Sequence, residues 1–119
     1  MFSLAHLSDL HLGPLPRYAA RRNFALKRTV GVLNWRLSRH KIHNSDVSLG
    51  IAADIQEAAP DHVALTGDIV NVAAHDEFPA AAQWLRNFGD PSWISFVPGN
   101  HDTYVRCAWR DGLEHLAAY

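Results

Sequence analysis

The sequence predicts an α/β fold, a mostly parallel sheet flanked by helices, and two observations carry that expectation. Three short apolar runs, near residues 2–8, 62–66 and 93–97, are separated by stretches whose apolar residues recur at helical spacing. Each run closes on side chains able to bind metal or move protons: Asp9 and His11, then Asp68, then Asn100, His101 and Asp102. Strands joined through helices make right-handed crossovers and so lie parallel. Ligands of such sheets bind beyond the carboxyl ends of the strands. The topology therefore gathers six polar residues from distant parts of the chain onto one rim.

Taken in order, Phe2 to Ser8 reads as a buried central strand because nearly every position is apolar or small. His6 lies inside that run and is expected to be a hydrogen-bonded core histidine rather than a ligand. Asp9 and His11, two apart, would project to the same side of extended backbone. Gly13-Pro14-Leu15-Pro16 ends regular structure. From Tyr18 to Leu37 the apolar positions Phe24, Leu26, Val30, Leu33 and Leu37 predict one or two amphipathic helices. Their arginines and Lys27 read as a solvated face, with phosphate contact as the alternative. Ser38 to Ser45 is a polar loop, the best place in the sequence for a lid or partner surface. Ser45 or Asp46 caps the next helix, which carries Val47, Ile51 and Ile55 and stops before Pro60.

His62 to Thr66 is the second strand, and Gly67 delivers Asp68 at its end. His62 sits at the opposite end and is not counted as a ligand. Asp76-Glu77 opens another helix with acids where the helix dipole favours them, Pro79 fits its first turn, and Gly89 ends it. Trp93 to Val97 is the third strand, followed by Pro98-Gly99-Asn100-His101-Asp102. Val105, Ala108, Trp109, Leu113 and Leu116 predict a last helix over 104–119, with Gly112 as its weak point.

Bulk properties limit the function. The chain has 119 residues, enough for one small core, and 11 basic against 12 acidic residues give a net charge of −1. That balance weighs against a nucleic-acid or membrane partner and means any charged ligand is gripped locally. The single Cys107 excludes an internal disulfide and fits a reducing compartment. No leader and no membrane-length apolar run is visible, so a soluble cytoplasmic chain is expected. Eight histidines are the compositional oddity. His40, His43 and His115 sit in polar or helical surroundings and read as solvated.

Each short motif alone is weak: Gly-Asn-His-Asp could be a turn, and Asp-x-His arises often by chance. Together they form a set of hard oxygen donors with imidazole and no thiolate. Such a set suits Mn, Fe, Zn or Mg better than a structural zinc site.

Asp9-Leu10-His11, Gly67-Asp68 and Gly99-Asn100-His101-Asp102, in this order and each ending a strand, resemble the first three signature blocks of the calcineurin-like metallophosphoesterases. Their contexts, Ser-Asp-Leu-His-Leu-Gly, Thr-Gly-Asp-Ile-Val-Asn and Val-Pro-Gly-Asn-His-Asp, are similar to the cyclic-nucleotide phosphodiesterase-like branch. The resemblance implies two divalent metal ions, with Asp9 and His11 on one, Asp68 bridging and Asn100 on the second. It places His101 beside the leaving group with Asp102 orienting its ring. The implied substrate is a phosphate ester, a cyclic nucleotide among the candidates, attacked by a metal-activated water.

The family also carries a later lone histidine and a Gly-His-x-His block, and after Asp102 this chain has only His115. The resemblance therefore implies a single partial domain over 1–119, about the first half of a four-layer α/β/β/α metallophosphoesterase domain. Such a half would expose a sheet face or edge, and self-association completing the fold is expected. Beside phosphoesterase activity stand two alternatives, an inactive interaction module and a metal-dependent nuclease.

Overall fold

A computed structural model describes residues 1–13 and 45–119. The helices expected over 18–37, the proline break and the polar loop lie outside the described residues. Three strands form one parallel sheet in the order β1-β2-β3: β1 is Leu4–Leu7, β2 His62–Thr66 and β3 Ile94–Val97. Helix α1, Ser45–Ala58, precedes β2, and α2, Glu77–Phe88, joins β2 to β3. The expected α/β class with a parallel sheet is the observed one.

Period-two alternation sorts the sheet into two faces. Val63, Leu65 and Ile94 are fully buried beneath α2, which contributes Phe78, Ala81, Ala82, Leu85 and Phe88 to the same core. The opposite face, with Leu4, His6, Thr66, Ser95 and Val97, is exposed; Leu4 and Val97 are 58% and 60% accessible. This corrects the expectation of a buried central first strand. Among the described strands β2 is central, and β1 lies at the edge with only Leu7 buried. Apolar composition marks a strand but does not say how many of its sides are covered. His6 is likewise no core residue: it is exposed, and its Nε2 meets Thr66 Oγ1 at 2.7 Å.

The sheet's register is pinned at its amino-terminal end. Ser3 donates its N–H and its hydroxyl to Asp61 Oδ2 at 2.7 and 2.8 Å, and Asp61 N–H returns to the Ser3 carbonyl at 3.0 Å. These bonds set Leu4 opposite His62. Trp93 Nε1–H donates to the Pro60 carbonyl at 2.8 Å, anchoring the start of β3 in the same layer.

Two helical expectations change. On α1 the buried positions are Ser48 and Ala52, with Ile55 half-buried, whereas Val47 and Ile51 are exposed. The inward stripe thus runs through 48, 52 and 55 rather than 47, 51 and 55. Small residues let the helix approach, and Gln56 Nε2 donates to the Phe88 carbonyl at the end of α2 at 2.7 Å. The last helix is two short 3-10 turns, Trp109–Asp111 and Leu113–Leu116, split at Gly112. There the Cβ of any larger residue would meet Cys107 Sγ at 2.8 Å, and Leu116 closes the core below α2. No helix among the described residues is long and apolar enough to cross a membrane.

Candidate metal centre

Because the strands are parallel, the segments after Leu7, Thr66 and Val97 leave the sheet at one end. The last two meet backbone to backbone. Gly67 has φ +85°, a conformation side chains disfavour, and a Cβ there would lie 2.6 Å from Gly99 Cα. A Cβ on Gly99 would lie 2.3 Å from Asp68 Oδ1. Only two glycines allow this approach.

Asp102 holds the two loops together. Its carboxylate is fully buried: Oδ2 accepts N–H bonds from Asp68 and Gly99 at 2.7 and 2.8 Å, and Oδ1 accepts from Val70 at 3.0 Å. The sequence expects Asp102 at the ring of His101. The structure instead puts the Asn71 carbonyl against His101 Nδ1. The physical reason is that loops leaving a sheet carry buried N–H groups with no ladder partner, and a carboxylate is the strongest acceptor available to them.

The segment after β1 runs alongside the 67–69 loop. Asp9 N–H donates to the Gly67 carbonyl at 3.2 Å, His11 to Asp68 at 2.8 Å and Leu12 to Ile69 at 2.9 Å. Asp9, His11 and Asp68 all have positive φ, of 57°, 41° and 55°. The extended backbone expected at Asp9 and His11 is therefore absent, and their side chains converge through left-handed turns instead. Such conformations cost of order 1–3 kcal/mol each and persist where the surroundings enforce them.

His11, Asp68 and His101 each bring one ligand atom within 4.8 Å of the others. His11 and Asp68 are buried and His101 half-buried. The two imidazoles meet edge to face with centroids 4.7 Å apart, and Tyr104 stacks on His101 at 5.4 Å. His11 Nδ1 lies 3.2 Å from the Val70 carbonyl. A carbonyl only accepts, so a neutral ring bonded in this way carries its proton on Nδ1. Asp68 Oδ1 also accepts the His101 N–H at 2.8 Å, tying the carboxylate to the third loop. Asp9 Oδ1 stands 4.0 Å from His11 Nε2 on a largely exposed side chain, at the margin of the cluster. Asn100 is exposed at the crest between Gly99 and His101.

Two imidazoles and one carboxylate, with a second carboxylate in reach, form a donor set that fits a divalent cation. The structure thus brings His11, Asp68 and His101 together, keeps Asp9 beside them, leaves Asn100 exposed next to His101 and spends Asp102 on backbone. Sequence reasoning missed Asn71, Glu77 and Tyr104 as parts of the centre. The available signal was a polar Asn71 amid Ile69, Val70, Val72, Ala73 and Ala74, where an unexplained amide in an apolar run implies a buried partner. Glu77 read as an ordinary helix-dipole acid.

No curated protein shows a match to the chain. A family model described as calcineurin-like phosphoesterase matches residues 2–118, nearly the whole sequence. With the three loops on one rim and a metal-capable cluster at their meeting point, the chain belongs to the calcineurin-like phosphoesterase family.

Proposed function

We propose that the chain is a metal-dependent phosphoesterase that hydrolyses phosphodiester or phosphomonoester bonds, with His11, Asp68, Asp9 and Asn100 as ligands of two divalent ions. The observation that supports this is the convergence of His11, Asp68 and His101 within 4.8 Å at the carboxyl end of the sheet. Bound ions would supply charge to the phosphoryl oxygens and lower the pKa of a water.

The chain's own residues supply position and proton control. Asp68 is held by the His101 N–H, so its carboxylate stays aimed at the rim when substrate is absent. His101 is fixed at Nδ1 by the Asn71 carbonyl and along its face by Tyr104, which leaves Nε2 for other partners. Once protonated there, it donates to the departing oxygen. The same Nε2 as a lone pair can instead hold metal, and the two roles separate in a titration.

Hydrolysis of a chromogenic phosphodiester with added manganese, beside manganese titrations of Asp68→Ala and His101→Ala, tests the reading. Turnover that requires manganese and Asp68 supports it, and a His101→Ala variant that binds manganese but turns over slowly supports the leaving-group role. A His101→Ala variant as metal-poor as Asp68→Ala overturns that role and makes His101 a ligand. Turnover that rises with the square of protein concentration would show a second copy completing the site. Absence of any manganese-dependent turnover would leave the interaction-module alternative.

A further inference from the structure

We propose that Glu77 is the positioning residue of this centre, one carboxylate that sets the orientation and tautomer of both His11 and His101. The inference deepens the phosphoesterase reading and rests on it for its consequence in turnover.

Glu77 is buried at 5% accessibility, and among the described residues no cation pairs with it. Leaving a carboxylate there is costly unless N–H groups take up its charge. Four do: Oε1 accepts from Asn71 N–H at 2.8 Å and Asn71 Nδ2 at 3.1 Å, and Oε2 accepts from Val72 N–H at 3.1 Å and Ala74 N–H at 2.8 Å. None of these donors belongs to its own helix. The acid at the start of α2 reaches back and grips the loop that leaves β2. That loop includes Ala73 at φ +51°, a conformation needing outside support.

The grip falls on two consecutive peptide units. In a trans peptide the N–H and the preceding C=O point in opposite directions. Holding the Asn71 N–H therefore aims the Val70 carbonyl away from Glu77, and that carbonyl meets His11 Nδ1 at 3.2 Å. Holding the Val72 N–H aims the Asn71 carbonyl away, and that carbonyl meets His101 Nδ1. One side chain thus orients two carbonyls, and each carbonyl orients one imidazole. Asn71 Nδ2 adds a bond to the Leu12 carbonyl at 2.9 Å, which ties the same loop to the segment carrying His11.

The test uses the full chain, labelled with ¹⁵N in its histidines and kept free of metal at alkaline pH, where a free imidazole is neutral. In the wild type, ring nitrogen shifts should place the proton on Nδ1 in both His11 and His101. A proton on Nε2 of either ring overturns the proposal without any variant. In Glu77→Gln one carboxylate oxygen becomes an NH₂ that faces N–H donors, so at least one of the two peptide units is released. The corresponding ring should then show mixed tautomers, while His6 and His62, bonded to the hydroxyls of Thr66 and Ser95, keep their wild-type shifts.

Manganese binding to the same variant should weaken roughly 10–100-fold, the usual cost of removing support behind a metal ligand. A folded Glu77→Gln protein with both tautomers and manganese affinity unchanged overturns the proposal, as does an equal disturbance of all four rings. If Glu77→Gln does not fold, Glu77→Asp, whose shorter reach cannot span both peptides, takes its place with the same readings. Since the tautomer reading needs neither metal nor turnover, a protein that passes it yet binds no manganese would sink the phosphoesterase reading alone.

Discussion

Replacing Asp102 with asparagine separates two roles for this carboxylate. In the structure it accepts three backbone N–H groups, from Asp68, Gly99 and Val70, and has no bond to the His101 ring among the described contacts. Asparagine keeps one oxygen, best placed on the Asp68 and Gly99 donors, and turns its NH₂ toward the Val70 N–H. One charge-assisted bond is lost, at about 1.5–3 kcal/mol, and a buried donor is left unpaired at about 1–3 kcal/mol. Relief of a buried charge offsets part of this, so the net loss should be about 2–4 kcal/mol. With roughly tenfold per 1.4 kcal/mol, the folding equilibrium falls by about 30- to 1,000-fold. In urea, with a slope of about 1–3 kcal/mol per molar, the midpoint drops by roughly 0.7–4 M. Equilibrium urea unfolding followed by tryptophan fluorescence reads this directly. An unchanged midpoint together with lost phosphodiester turnover would refute the reasoning and return Asp102 to the imidazole.

Two further outcomes follow from the same geometry. Gly99→Ala should cost about 1–3 kcal/mol of stability through overpacking, because the new Cβ lies 2.3 Å from Asp68 Oδ1, and it should weaken manganese binding as that carboxylate is displaced; an unaltered melt and titration would contradict the close approach. The Ser3 N–H and then its hydroxyl hold the Asp61 carboxyl below its ordinary value of 3.8, so this contact's stabilisation is complete above that value and is lost as pH falls through the lower folded-state value. Ser3→Ala, which keeps the backbone N–H, should therefore lower the urea midpoint at pH near 6 and have progressively less effect below 3.8, whereas a pH-independent difference would exclude the hydroxyl's share of the linkage.

The ordering of three strands with ligand-bearing ends was legible in the sequence because it depends on local signals. Apolar runs bounded by Gly67 and by Pro98-Gly99 mark strand ends whatever packs on them. The helix of 77–88 was equally legible, since Pro79 lies in its first turn and Gly89 follows its last residue. Coverage was not. Whether Leu4 faces a core and which stripe of α1 turns inward depend on neighbours brought in by the fold, and 3-10 turns at 109–116 depend on room around Gly112.

In the centre the division has the same cause. Sequence determined the chemical inventory: Asp9, His11, Asp68, Asn100, His101 and Asp102, and the family to which their spacing belongs. Tertiary structure decided the assignments among them. It gave Asp102 to the backbone and put the carbonyls of Val70 and Asn71 at the two imidazoles. It also buried Glu77 behind both. A residue's type limits which bonds it can make, but the partner it meets is set by backbone N–H and C=O groups, which look alike at every position of a sequence and acquire direction only when the chain has folded.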